Sequence, residues 1–181
     1  MERAAQPVAC EVEGLRGFRW WRVGLGGWLL SPWREAKPWD TGPNRARCLA
    51  TRRLFGWNDA SPHPRGIPDG RCQCGFYGLH SYPVSHQGPV RFVWELDTDF
   101  SGSGGLVLGV AEASGRVLVG TQGWRAELAR ACALYVSTWS FPSPDLDAVQ
   151  MRYDMPVYRD FDAMREEWGP DESVSELLAA G

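Results

Sequence analysis

The chain has 181 residues, of which 44% are hydrophobic and 23% are charged, and this composition is typical of one globular domain. No apolar run reaches the roughly 18 residues that a transmembrane helix needs, and the first residues lack the apolar segment of a signal peptide. These totals argue against a disordered or membrane-embedded chain and predict a cytoplasmic location.

The net charge of −3 is unevenly distributed along the chain. Residues 15–71 contain eleven basic and four acidic residues, a balance of +7, whereas residues 145–181 contain three arginines and ten acids, a balance of −7. The basic half suits contact with phosphate groups. The acidic tail suits contact with solvent or with that same basic half.

The first half of the chain predicts short strands and turns. Two aromatic-rich segments, residues 17–24 and 26–33, are bounded by glycine and predict a β-hairpin. Proline and glycine are so frequent between residues 38 and 70 that neither a long helix nor a regular strand is expected there. A loop of this length in a compact domain is usually held in place by something, and a metal ion is one candidate.

Strands are predicted to continue after this loop. Residues 90–100 alternate between apolar and polar and predict one strand. Two more, Leu106–Ala111 and Arg116–Val119, flank a predicted turn at the sequence "EASG". Turns about every eight to twelve residues are typical of a small barrel or sandwich.

From residue 142 the pattern becomes helical. Ser143 is a candidate N-cap, residues 157–169 predict a helix that ends at glycine and proline, and residues 170–181 predict a last short helix.

These elements predict an α+β fold that is mostly β, with a small twisted β-barrel or sandwich and C-terminal helices. We predict a β-rich core domain at residues 1–141, which includes an irregular Cys/His loop at about residues 38–80. Residues 142–181 form the predicted acidic helical segment.

The cysteines suggest thiolate chemistry rather than disulfide bonds. There are five of them, and an odd number without an export signal argues against a disulfide framework. They are Cys10, Cys48, Cys72, Cys74 and Cys132.

Four of the cysteine and histidine residues are candidate zinc ligands. Zinc prefers four thiolate or imidazole ligands in a tetrahedron. Cys72 and Cys74 are separated by one residue, and Gly75 allows the tight turn that both thiolates need to reach one ion. Cys48 and His63 complete a Cys3His set, for which His80 is a substitute ligand. The predicted cofactor is zinc.

Two catalytic alternatives use the same residues. A cysteine nucleophile, Cys72 or Cys74, would need a base such as His80 within hydrogen-bond reach, and no nucleophile-elbow motif is evident near it. A catalytic zinc would keep only three protein ligands and one open position. A metal- or thiol-dependent hydrolase is therefore retained only as an alternative, and no catalytic residue is assigned.

Several motifs resemble those of a family of short actinobacterial proteins of unassigned function. That family has an Ala-x-Cys, a His with a neighbouring Pro, a Cys-x-Cys-Gly-aromatic, a Gly-x-Val and a Gly-aromatic-Arg-Ala-Glu motif. The resemblance covers residues 17–136, but the chain departs in a wider gap before His63 and in "EASG", where an aromatic residue is expected. It supports the metal site and implies no activity. The matching residues are Cys48, His63, Cys72, Cys74, Gly75, Val117, Gly123, Trp124, Arg125 and Glu127.

Tryptophan and arginine are interleaved in the basic half, which suits stacking on bases. The candidate ligand-binding residues are Arg19, Trp21, Arg22 and Trp33, together with Arg125. Core packing of the tryptophans and an ion pair for Arg125 are the alternatives. We therefore predict a binding module that contacts nucleic acid or a nucleotide-like ligand, with a protein–protein adaptor or assembly subunit as the alternative.

Overall fold

The computed structural model describes residues 8–31, 38–48, 63, 66–81, 106–136 and 145–170. Within these ranges the strands are β1 (Val8–Val23), β2 (Leu29–Leu30), β3 (Asn44–Arg45), β4 (Phe76–Leu79), β5 (Leu106–Val119), β6 (Gly123–Tyr135) and β7 (Val157–Tyr158). A 3-10 turn at Leu25–Gly27 links β1 to β2, and the helices are α1 (Leu146–Tyr153) and α2 (Phe161–Trp168).

Four of the strands form a closed hydrogen-bonded ring. β5 and β6 are long, apolar and adjacent in sequence, and they pair as an antiparallel hairpin. β1 pairs with β5 along nearly its whole length, from Val8 opposite Val119 to Arg22 opposite Leu106. β4 pairs with β6 and also meets β1, where Phe18 lies opposite Leu79. β2 pairs with the end of β1 as in the predicted hairpin, but the pairing is short.

The sheet is covered on both faces because side chains alternate along its strands. The larger apolar cluster includes Trp21 and Trp124 on the inner face, with Val149 of α1 packed against it. The smaller cluster lies on the opposite face, where Phe18 and Met164 of α2 pack together. Both helices therefore contribute fully buried side chains to the core.

The described part of the acidic tail packs on the basic half of the chain. The Tyr153 hydroxyl donates to the Trp39 carbonyl at 2.8 Å and accepts from the Leu29 amide at 3.0 Å. The Arg152 guanidinium lies 3.8 Å from the centre of a Trp28 ring. These contacts tie α1 to the segment after β1.

The predicted turn at "EASG" is wrong, because β5 runs without interruption from Leu106 to Val119. Gly115 has a φ of +71°, and the register with β6 shifts between Ser114 and Val117. Glycine here makes a β-bulge within a continuous strand.

The predicted helix at residues 157–169 begins later than expected. Val157 and Tyr158 pair in parallel with the end of β6 as β7. Asp160 then caps α2, because its carboxylate accepts from the amides of Asp162 and Ala163. The helix ends at Gly169, as predicted.

Several predicted features lie outside the described residues, namely the strand at residues 90–100, the cap at Ser143 and, apart from Pro170, the last helix at residues 170–181. The first helix of the tail is capped by Asp145, whose side chain accepts from the Ala148 amide. The predicted class, α+β and mostly β, is confirmed. Neither described helix combines the length and apolar character that a bilayer crossing requires.

Candidate metal centre

The Cys/His loop converges on one edge of β6. β3 pairs with Leu128 and Ala129 of β6, and β4 pairs with residues 123–126 on the same edge. Both short strands are antiparallel to β6, so the chain leaving β3 and the chain entering β4 pass the middle of β6 side by side. Cys48 follows β3 and Cys74 precedes β4, so this register brings them together.

Hydrogen bonds of Asn44 and Ala46 hold the chain in this position before Cys48. The buried side chain of Asn44 accepts from the Asp40 amide at 2.8 Å and donates to the carbonyls of Asp40 and Gly42. The Ala46 amide then donates to the Glu127 carbonyl at 2.8 Å. After Cys74, Gly75 adopts a φ of +114°, which favours glycine and fits the tight turn that the sequence predicts.

The structure groups the four predicted ligands, Cys48, His63, Cys72 and Cys74. Their ligand atoms all lie within 4.8 Å of one another. The Sγ atoms of Cys48 and Cys72 are 3.6 Å apart, and His63 Nε2 is 3.2 Å from Cys48 Sγ. All five cysteines are free thiols.

These spacings suit a tetrahedral metal ion. With zinc–sulphur bonds of about 2.3 Å and zinc–nitrogen bonds of about 2.0–2.1 Å, a tetrahedron places two sulphurs about 3.8 Å apart and a sulphur and nitrogen about 3.6 Å apart. The Cys48–Cys72 and His63–Cys48 distances are within about 0.4 Å of these values. The four donor atoms lie within 4.8 Å of one another, so side-chain movements on the order of 1 Å would complete a Cys3His site around one ion.

The thiols of Cys72 and Cys74 differ in the direction in which their pKa values are shifted. Burial raises the pKa of the Cys72 thiol, but hydrogen bonds from the Cys74 amide and the Cys48 thiol outweigh it, so the pKa of Cys72 is lowered overall. Burial raises the pKa of the Cys74 thiol to about 11. Cys72 is thus the first of these two thiols to lose its proton when the site is metal-free.

Asp69 orients the histidine of the cluster. Its Oδ2 atom lies 3.9 Å from His63 Nδ1, on the opposite side of the ring from the nitrogen that faces Cys48. If a metal ion binds Nε2, the ring proton belongs on Nδ1, the nitrogen that faces Asp69, as in carboxylate–histidine–metal triads. Asp69 also shapes the turn before Cys72, because its carbonyl accepts from the Cys72 amide at 3.1 Å.

Arg125 connects the Cys-x-Cys turn to the sheet. Its guanidinium donates to the carbonyl of Cys72 and, at 3.4 Å, to that of Cys74. Arg125 lies on β6 opposite Tyr77 of β4. Arg125, which was predicted to bind a ligand, therefore contacts the backbone of the Cys/His cluster. Glu127 on the same strand pairs with Arg45 at 2.8 Å.

His80 lies outside the four-residue cluster. Its Nε2 atom donates to the Gly120 carbonyl at 2.8 Å, and its Nδ1 atom is buried without a hydrogen-bond partner among the described residues. This hydrogen bond fixes His80 to the β5–β6 turn. The cysteine–histidine pair that the structure brings together is Cys48 with His63.

Arg19 and Trp21 lie in the interior of the strand ring. Trp21 is fully buried, and Arg19 is 8% exposed. Arg19 donates to the Tyr77 carbonyl at 2.7 Å, and its guanidinium lies 5.0 Å from the ring centre of Trp39. Burial lowers the pKa of Arg19 to about 10, so its guanidinium remains charged at neutral pH. These contacts match the core-packing alternative.

The other two candidate ligand-binding residues are placed differently. Arg22 is half-buried near the end of β1, and its Nε atom has no hydrogen-bond partner in the part of the chain that the structure describes. Trp33 lies outside the described residues.

Sequence reasoning missed the roles of Asp69 and Asn44. The "PDG" sequence around Asp69 signals a turn, but a turn signal does not show that the carboxylate faces a histidine. Asn44 likewise has a turn-like context, "GPN", and its role became visible only with the register of β3.

No family model, curated protein or solved structure matches the chain. The resemblance to short actinobacterial proteins stays a prediction. Conclusions about function therefore rest on the geometry of the cluster and its surroundings.

Proposed function

We propose that Cys48, His63, Cys72 and Cys74 bind a structural zinc ion and that the chain is a zinc-stabilised binding module. One observation carries this proposal: the four donor atoms lie within 4.8 Å of one another, although they come from three separate stretches of the chain. Random placement of thiols and an imidazole on a loop would not collect a complete tetrahedral ligand set.

The ligand chemistry favours zinc over other ions. Three thiolates and one imidazole are soft and borderline donors, which suit zinc, whereas magnesium and calcium prefer oxygen ligands. The set also supplies four protein ligands, so no coordination position remains for a reacting water. A structural role is therefore the better interpretation than a metal-dependent hydrolase. Thiolate ligands also suit the reducing cytoplasm, where we propose that the chain acts.

The zinc ion would hold the Cys/His loop against β6. In the described residues, this loop is attached to the sheet by two short strands and a few side-chain contacts. Metal coordination adds a cross-link that joins Cys48 to Cys74 and so ties β3 to β4. Binding free energy at such a site contributes directly to folding.

Metal analysis tests this proposal. Protein purified without a metal-binding tag is expected to contain about one zinc per chain, with Cys48, Cys72 and Cys74 protected from thiol reagents until denaturation. Replacement of zinc by cobalt should produce the visible absorption of a tetrahedral cobalt–thiolate centre. The variant Cys72→Ser should lose both signals, whereas the matched control Cys132→Ser, at a buried thiol outside the cluster, should retain them. Wild-type protein without metal, or loss of zinc in both variants, would overturn the proposal.

The ligand of this module is proposed to be a nucleic acid or a nucleotide-like molecule. The positive balance of residues 15–71 supports an anionic ligand. Arg47 and Arg71 are exposed beside the cluster, whereas Arg19 and Trp21 are buried. The exposed arginines therefore support this ligand class better than Arg19 and Trp21 of β1 do.

A protein–protein adaptor is the second candidate. Leu25 is 85% exposed and Met151 is 86% exposed, and Met151 lines a groove together with Gly26 and Arg152. If the two side chains form one contiguous apolar patch, that patch suits contact with a protein. Light scattering on size-fractionated wild type and on Leu25→Ser/Met151→Ser tests this role. A wild-type assembly that the double variant dissociates would support it, and a monomer in both would contradict assembly through this surface.

A further inference from the structure

Two arginines flank the metal cluster at matching positions. Arg47 directly precedes Cys48, and Arg71 directly precedes Cys72; both arginines are exposed. Because the Sγ atoms of the two cysteines are only 3.6 Å apart, the arginines are brought to the same small region from distant parts of the sequence.

The described acids near the cluster already have other partners. Glu127 pairs with Arg45 at 2.8 Å, and Asp69 faces His63 and accepts from the Arg71 amide through its side chain. Within the described ranges, no acidic side chain pairs with the guanidinium of Arg47 or Arg71. Among the described residues, nothing thus neutralises these two charges, and both suit an external anion.

One exposed aromatic ring contacts the turn that follows Arg71. Tyr77 is 43% exposed and lies three residues after Cys74. Its hydroxyl donates to the carbonyl of Gln73 at 2.6 Å, and the Arg125 guanidinium lies 6.0 Å from the ring centre. The ring is thus held in position by the same turn that carries two of the cluster's cysteines.

We propose that Arg47, Arg71 and Tyr77, the knuckle face, bind single-stranded nucleic acid. The arginines contact backbone phosphates and Tyr77 stacks on a base. This combination favours a single strand, because a base in a duplex is already stacked on its neighbours and offers no free face to an exposed ring. The inference rests on the proposed function, since the zinc ion sets the spacing of the two arginines.

Fluorescence anisotropy with a labelled oligo-dT of about 15 nucleotides tests this inference. Two phosphate contacts to a single strand predict that affinity falls about sevenfold when salt rises fourfold, for example from about 50 to about 200 mM. Wild-type protein should bind the single strand more tightly than a duplex of the same length. Equal binding to the duplex, or equal competition by polyglutamate, would overturn the inference.

Variants distinguish the phosphate contacts of the arginines from the stacking of Tyr77 on a base. Arg47→Ser/Arg71→Ser should weaken binding at low salt and remove most of its salt dependence, whereas the matched control Arg159→Ser/Arg165→Ser, at two exposed arginines near α2, should bind like wild type. Tyr77→Leu should weaken binding at least about fivefold through loss of stacking. Tyr77→Phe loses the hydroxyl but keeps the ring, so it should retain binding.

Zinc content measured on every variant distinguishes this inference from the proposed function. Retained zinc with weakened binding in Arg47→Ser/Arg71→Ser supports the knuckle face. Loss of zinc in that double variant would overturn it, because the arginines would then serve the metal site. Zinc-loaded wild type that does not bind the oligonucleotide overturns the inference alone, whereas wild type without zinc overturns the proposed function itself.

Discussion

The β5–β6 hairpin and the Cys/His loop hold their backbones in place by different physical means. The hairpin strands are adjacent in sequence and pair from Leu108 opposite Tyr135 to Val119 opposite Trp124, and apolar side chains are buried on both faces, as in the consecutive residues 107–111. Among its described residues, the Cys/His loop contributes the two-residue strand β3 and the four-residue strand β4 to the sheet. Its position depends on a few polar side chains and the four candidate ligands.

This difference shows that the strands depend on the regular spacing of apolar residues, whereas the Cys/His loop depends on the chemistry of a few particular residues. Burial of an apolar face requires a regular alternation of side chains over many residues. A metal site requires only four donors at one point, and the chain between them can be irregular. The loop can therefore contain many prolines and glycines, which would destabilise a central strand.

Replacement of one candidate metal ligand should have the largest effect, and it should destabilise the Cys/His loop more than the hairpin. Cys74→Ser is expected to lose zinc and to lower the free energy of unfolding by at least about 4 kcal/mol, because structural zinc contributes roughly 10–16 kcal/mol of binding free energy in small domains. Amide hydrogen exchange should show that Ala46 and Cys72 lose protection first, while the hairpin amides of β5 and β6 keep more of theirs. Cys132→Ser is the control and should cost about 1 kcal/mol. Equal losses in the two variants would contradict a metal-held loop.

A smaller effect is expected where the loop enters the sheet. A Cβ at Gly78 on β4 would overlap the ring of Trp124, which is only 2% exposed. Gly78→Ala should therefore lower the free energy of unfolding by about 1–3 kcal/mol through overpacking. A Cβ at Gly42 meets nothing within 4 Å, so thermal unfolding of Gly42→Ala should match wild type within about 0.5 kcal/mol. Similar stability in both variants would show that Trp124 can move aside.

The smallest expected effect concerns Cys132, the buried thiol of the hairpin. Burial raises the pKa of Cys132 from 9.0 to about 11. The folded state then holds this proton more tightly than the unfolded state, so the stabilisation is complete below pH 9.0 and is lost as the pH rises toward about 11. Wild type should lose on the order of 1 kcal/mol more than Cys132→Ala over this range. Denaturant unfolding at both pH values measures the difference, and parallel losses would refute it.

The sequence predicted the fold class and the four residues that the structure groups in the Cys/His cluster. Thiols and imidazoles reveal their chemistry by residue type, so Cys48, His63, Cys72 and Cys74 could be grouped without a structure. The helix end at Gly169 was also predictable, because glycine followed by proline is a strong stop signal.

Features that depend on register or on burial could not be predicted in this way. Glycine in "EASG" has the same left-handed backbone in a bulge as in a turn, so Gly115 could not reveal that β5 continues. Arg19 resembles any arginine of the basic half, and its place among aromatic rings depends on which face of β1 is enclosed. The contact of Arg125 with the carbonyls of Cys72 and Cys74 required the pairing of β4 with β6.

The pairing of β1 with β5 has a consequence for synthesis on the ribosome. Trp21 pairs opposite Val107, so β1 meets β5, the strand with which it pairs over most of its length, only after the chain has grown by nearly half of its 181 residues. At roughly 5–20 residues per second, this delay lasts on the order of 5–20 s. During that time β1 is a nascent segment with its apolar side chains exposed. Chaperones that hold nascent apolar segments are therefore expected to contact β1 before the ring closes.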